Sequence, residues 1–250
     1  DQGGIILDDG TISRLAEDRY FVTTTSGNLA FVHQWLQWWL IGTNWNVHIC
    51  NVTAGYGAMN LAGPNSRDVL RKLTDCDLTS VAFPYMACRE AKVAGIPAIL
   101  LRIGFVGETG WEIHCPAESA EELWRALLDA GKELDIQPFG VEAQRLLRLE
   151  KRHVIVGVDT DALTNPYEAG LGWAVKLDKK DFVGRALLSH AKEHQARESL
   201  VGFVLKGTGL PKDGAAVVVN GQPAGRVTSS RFSPIQNAAI GLAWVKVSEA

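Results

Sequence analysis

The sequence predicts an α+β fold with antiparallel sheets, interleaved helices and a small barrel-like β domain at its C-terminal end. Three observations predict it. Strand-like runs follow one another across tight turns, without strict strand–helix–strand alternation. Four or five amphipathic stretches sit between those runs. From about residue 199 onward the pattern turns to strands alone.

Taken in order, Gly4 to Leu7 reads as a short apolar strand and Asp8-Asp9-Gly10 as a turn. Thr11 to Leu15 and Tyr20 to Thr24 read as strands, the second being β-branched and aromatic. Ser26-Gly27-Asn28 offers a helix cap, and Leu29 to Leu40 follows as a helix. Phe31, Trp35, Trp38 and Trp39 recur there at helical spacing, which predicts an aromatic face packed into a core. Asn46 to Thr53 and Tyr56 to Ala62 read as strands, and Gly63-Pro64-Asn65-Ser66 starts a helix reaching Leu73. Glu90 to Ile96 and Ala98 to Ile103 form a strand pair. A helix from about Glu118 to Ala130 has acids in its first turn and Gly131 behind it. Gly140 to Lys151 is a further helix. Trp173 to Leu177 reads as a strand and Asp181 to about Arg197 as a surface helix. The last strands are Leu200 to Lys206, Ala215 to Val219, Gln222 to Ser229 and Ala239 to Val247, with Asn220-Gly221 as a strong hairpin turn.

The 250 residues are 46% hydrophobic and 21% charged, ordinary for a globular protein, and long enough for a sizeable core. A net charge of −3, with both signs spread along the chain, argues against nucleic acid or an anionic membrane as partner. Cys50, Cys76, Cys88 and Cys115 show no paired spacing and read as reduced thiols of a cytoplasmic protein. The histidines form no metal-ligand pattern. Asp159-Thr160-Asp161 lacks the glycine and later glutamate of a calcium loop, so no metal is expected.

The stretch richest in chemistry is Arg102 to Cys115. Gly104, Gly107 and Gly110 mark a loop that bends through unusual backbone angles or passes close to something. The strand Trp111 to Cys115 follows, with Glu112 and His114 on one face and Trp111 and Ile113 on the other. By itself Glu112 reads either as a solvated strand residue or as the rim of a ligand cavity.

Gly104-Phe-Val-Gly-Glu-Thr-Gly-Trp-Glu-Ile113 resembles the loop-to-strand motif of the glycine-cleavage T-protein (aminomethyltransferase) family. Three more stretches agree in order: Val52 to Arg67, Leu147-Arg-Leu-Glu150 with Gly157 to Trp173, and Gly225 to Pro234. Thr23 to Gly27 and Glu150-Lys151 resemble most closely the folate-binding half of the sarcosine oxidase α subunit.

The resemblance implies a T-protein folate-binding fold. It assigns 1–80 with 136–197 to a first α+β domain lacking its N-terminal part. Residues 81–135 would form a ferredoxin-like second domain, and 198–250 an incomplete β-barrel. The family carries segments beyond both ends, so the chain reads as part of something longer. Glu112 matches the acid that accepts the paired N–H donors of the pterin ring of tetrahydrofolate. Tyr85 and Phe105 match aromatic positions around that ring, Val52 a lining position, and Trp173 a position in the matched loop. The family's transfer aspartate falls at Val32, beside His33, so the resemblance assigns no catalytic residue. The arginine that holds the folate tail falls at Gln144, next to Arg145. The implied reaction is capture of an amine-derived carbon by tetrahydrofolate to give 5,10-methylenetetrahydrofolate. Flavin would enter only through a partner, a flavin-dependent amine oxidase subunit, and a lipoyl carrier is the other possible partner. A non-catalytic folate-binding or scaffold module is the alternative.

Overall fold

In the computed structural model, residues 1–194, 196–207 and 209–249 are described. Gln195, inside the helix expected to reach Arg197, lies outside them, as do Thr208 and Ala250 in the expected barrel. The chain divides into two compact units, Gly10–Gln144 and Asp1–Asp9 with Arg145–Ala250.

The first unit is built on a four-stranded antiparallel sheet. Its strands are β3 (Tyr56–Ala62), β4 (Cys88–Val93), β5 (Ile96–Leu101) and β6 (Gly110–Pro116), ordered β3-β6-β5-β4. β3 and β6 are joined residue by residue, Asn60 opposite Glu112 and Ala58 opposite His114. The sheet therefore pairs a strand from before residue 80 with strands from after it. One face carries Leu61, Val93, Ala98, Leu100, Trp111, Ile113 and Cys115, buried with Leu70 of α2 (Ser66–Leu70) and Leu123 and Leu127 of α3 (Ala120–Gly131). Burial of these side chains at about 25 cal/mol per Å² of apolar surface is the main stabilising term. Burial in this core also pushes the Cys115 thiol pKa up. A small hairpin, β1 (Ile12–Arg14) with β2 (Tyr20–Val22), precedes α1 (Leu29–Trp38).

Helix α1 forms where its pattern predicts, but its aromatic face is not core. No residue of α1 is buried, and Trp38 is 68% exposed. Periodicity shows which side chains share a face, and says nothing about whether another element covers it. Asn46 to Thr53 is not a strand. It runs as irregular chain into a 3₁₀ turn at Thr53–Gly55, because no neighbouring strand takes up its backbone groups.

The second unit is centred on another antiparallel sheet, β7 (Glu198–Leu205), β8 (Ala216–Val219), β9 (Gln222–Ser233) and β10 (Ala238–Lys246), ordered β7-β10-β9-β8. The β8–β9 turn has positive φ at both Asn220 and Gly221, the type I′ geometry that this dipeptide favours. Leu200, Ile240, Leu242 and Trp244 bury against Leu149, Val154 and Ala169. Gly4 to Leu7 forms no strand, although the Ile6 N–H donates to the Thr164 carbonyl. Trp173 to Leu177 is no strand either. Residues 172–174 close a 3₁₀ turn, and Tyr167 packs where a Gly172 side chain would stand. The surface helix α5 is shorter than expected, Arg185–Glu193, and begins after Gly184 at φ +87°.

The two most specific sequence motifs meet in this unit. Arg148 of α4 (Val141–Glu150) places Nη1 2.5 Å from Oδ2 of Asp159, both side chains being buried. Asp161, two residues on, is exposed. Its carboxyl pKa is lowered, first by the Leu163 N–H and then by the Thr164 hydroxyl and Arg226. A lowered carboxyl adds stability above its ordinary value near 3.8, and this is lost as the pH falls through the folded value. The urea midpoint of Asp161→Asn is therefore expected slightly below wild type at pH 6. The gap should close below about pH 4. An equal gap at both pH values would mean that the charge is not its source.

Candidate functional site

The glycine loop adopts the close-packed form that its composition predicts. A side chain on Gly110 would stand 2.6 Å from the Ile103 carbonyl oxygen, and Gly107 has φ +79°. This folding back delivers Gly110 at the start of β6, so that Glu112 is the third residue of the strand.

Glu112 lies on the sheet face opposite the buried core. Its direct neighbours are Asn60 of β3 and Leu101 of β5. The Glu112 side chain is 30% exposed, reachable yet partly desolvated. Asn60 Oδ1 is buried with no hydrogen-bond partner among the described residues. A carboxylate beside an unsatisfied acceptor suits a ligand edge rich in N–H donors.

Tyr85 and Phe105 come from the connections at the same end of this sheet. Tyr85 precedes β4, Phe105 follows β5, and the two connections are tied by bonds from Met86 N–H to the Arg102 carbonyl and from Arg102 N–H to the Ala87 carbonyl. Tyr85 is largely exposed and Phe105 half-buried.

Two residues along β6 from Glu112, His114 is 7% exposed, with Nε2 3.4 Å from Glu112 Oε2. That approach lacks hydrogen-bond alignment. Phe21 meets the His114 ring edge-on at 5.0 Å. His114 borders a cavity of about 250 Å³ that also takes in Val32, His33, Val52, Tyr56 and Cys50. Among the described residues, no Asp, Glu, Lys or Arg lines it. Val52 thus belongs to this cavity, near the start of β3, whereas Glu112 pairs near the end of that strand.

Gln144 lines a different cavity of about 590 Å³, bounded by Leu61, Trp124, Leu127 and Phe139. Arg145 follows it on α4 with its side chain exposed. Trp173 belongs to the second unit and is 72% exposed, its carbonyl accepting from Lys176 Nζ. Of the sequence-expected residues, the structure gathers Glu112, Tyr85 and Phe105 at one end of one sheet. Val52 stands with Val32 and His33, and Gln144 lines another cavity, which Asn60 also borders.

Sequence reasoning placed His114 on the face of Glu112 without giving it a role, and missed Asn60 and Tyr56. Their signal is the β3–β6 register, which pairs Asn60 with Glu112 and is invisible in either strand alone. No group of three or more His, Cys, Asp or Glu able to hold a metal occurs among the described residues. No helix among them is long and apolar enough to cross a membrane.

Comparison with known proteins gives one consistent result. Residues 1–179 match the family model of the GCVT N-terminal domain, and residues 199–250 that of the glycine cleavage T-protein C-terminal barrel domain. The aminomethyltransferase of Halothermothrix orenii is 36% identical over 250 residues, covering 100% of this chain and 68% of its own. That of Symbiobacterium thermophilum is 36% identical, covering 99% of this chain and 67% of its own. The crystal structure of glycine cleavage system aminomethyltransferase T from Bartonella henselae superposes with a TM-score of 0.85 at 26% identity, covering 99% of this chain and 66% of that one. The chain thus spans about two thirds of the length of these relatives.

Proposed function

Because the chain belongs to the glycine cleavage T-protein family, we propose that it transfers a one-carbon unit from an amine-derived donor to tetrahydrofolate, forming 5,10-methylenetetrahydrofolate. The observation that carries this reading is the partly exposed Glu112 carboxylate beside the Asn60 acceptor, which has no partner among the described residues. A 2-amino-4-oxopteridine offers parallel N–H donors along one edge, and a carboxylate accepts two of them at once. Phe105 and Tyr85 supply flat apolar surface at the same sheet end for the ring. Val52 is assigned as a lining position next to the ring. Gln144, next to Arg145 in sequence, is assigned to the folate tail.

The donor side is read from Val32. The cavity around it holds no carboxylate to stabilise a positively charged carrier arm. An uncharged carbon at the formaldehyde level, released by a flavin-dependent amine oxidase, suits such a cavity better than the amine of a lipoyl carrier. Holding donor and acceptor together supplies acceleration through proximity. The test is formation of 5,10-methylenetetrahydrofolate from formaldehyde and tetrahydrofolate above the uncatalysed rate. Tight binding with no acceleration would identify a folate-binding module instead.

A further inference from the structure

We propose that His190 and His194 together bind a divalent late first-row metal ion, with Zn²⁺ as the test case, at the C-terminal end of α5. The inference stands on this helix alone and is independent of the function proposed above. Three observations converge on it. The first is that the two rings meet. Residues four apart stand one above the other on a helix face. Here His190 lies in the last turn of Arg185–Glu193 and His194 is the C-cap. Both side chains are exposed, and their ring centroids are 3.8 Å apart with the planes tilted by 31°. Two imidazole nitrogens held at about 2.0–2.1 Å from one Zn²⁺ stand about 3 Å from each other. Exposed rings that already touch reach that spacing by a small side-chain rotation.

The second observation fixes the chemistry of one ring. His194 Nδ1 lies 2.7 Å from the His190 carbonyl oxygen. A carbonyl can only accept, so Nδ1 carries the hydrogen. The neutral ring then has its lone pair on Nε2, the atom that would ligate the metal. Metal-ligating histidines are held in this way, with the second nitrogen donating to a carbonyl that sets the tautomer and orients the ring. The third observation is the place. The last turn of a helix presents carbonyl oxygens without intrahelical partners, and their partial negative charge favours a cation. Imidazole nitrogens suit Zn²⁺, Ni²⁺ and Cu²⁺, whereas Mg²⁺ and Ca²⁺ take oxygen ligands. Two rings fill two coordination positions and leave the others to water.

The experiment titrates Zn²⁺ into the whole chain by calorimetry, with Mg²⁺ as the control ion, and follows the histidine ring resonances by NMR. Exposed thiols are alkylated first, since Cys50 is exposed and a thiolate also ligates Zn²⁺. In wild type, Zn²⁺ is expected to shift the His190 and His194 resonances together, and Mg²⁺ to shift neither. His190→Gln and His194→Gln each keep one ring, so each should bind Zn²⁺ about 100-fold more weakly, the gain from a second tethered ligand being lost. Without metal both should melt as wild type does, because both side chains are exposed. His48→Gln removes an exposed histidine far along the chain and should bind as wild type does. An ion that binds only the folded state stabilises it, so Zn²⁺ should raise the urea midpoint of wild type and of His48→Gln but not of the two pair variants. Zn²⁺ affinities of the pair variants within twofold of wild type would overturn the inference, as would His190 and His194 resonances that Zn²⁺ leaves in place. An equal loss in His48→Gln, or an equal response to Mg²⁺, would overturn it too, by showing adventitious binding spread over the surface.

Discussion

Asp159→Ala is expected to destabilise the second unit by about 3–5 kcal/mol, the usual cost of breaking a buried ion pair from one side. Asp159 Oδ2 takes Arg148 Nη1 and the Ile155 N–H. Its Oδ1 takes the hydroxyls of Thr228 and Ser229 at 2.7 and 2.6 Å. Its carbonyl accepts from Trp244 Nε1. Arg148 in turn donates to the His153 carbonyl and to Ser229 Oγ. The alanine variant leaves a guanidinium that is 2% exposed without a counter-charge. The double variant Arg148→Met with Asp159→Leu removes both charges, and is expected to lie nearer wild type than either single change. Urea unfolding followed by tryptophan fluorescence reads wild type and each of these variants. A loss under about 1 kcal/mol for Asp159→Ala would show that the network is not what holds α4 to the sheet.

Glu112→Ala is expected to weaken tetrahydrofolate binding about 100-fold with little change in melting temperature. Hydrogen bonds to a charged acceptor contribute about 1.5–3 kcal/mol each, and this carboxylate is positioned to take two. The fold does not depend on it, since the carboxylate is partly exposed and its neighbour His114 makes no aligned bond to it. Glu112→Gln should fall between the two, because an amide oxygen still accepts one bond without the charge.

How much of this was legible in the sequence depends on the range of the signal. Asn220-Gly221 announced its hairpin because both residues tolerate positive φ, a purely local property. The alternation of Trp111 to Cys115 gave the core face of β6, while His114 on the other face proved buried as well. The motifs at 147–150 and 157–173 were recognisable as sequence, but their meeting at Arg148 and Asp159 is a tertiary fact. Trp173 to Leu177 looked like a strand because its residues favour one, but the segment opens on a 3₁₀ turn at 172–174 and pairs with no strand among the described residues. The aromatic stripe of α1 shows the same limit, since its exposure is set by what surrounds it. Within the site, the type and face of Glu112 were readable. Asn60 beside it was not, because register joins segments about fifty residues apart.

The most direct test of the account is a pair of calorimetric titrations, one with tetrahydrofolate and one with its analogue lacking the 2-amino group. Wild type is expected to bind tetrahydrofolate at least 10-fold more tightly, since the analogue removes one donor from the edge that Glu112 accepts. In Glu112→Ala that preference should collapse to within about twofold. Equal affinity of wild type for both ligands, or an undiminished preference in Glu112→Ala, would contradict the assignment of Glu112 as the pterin-recognising carboxylate.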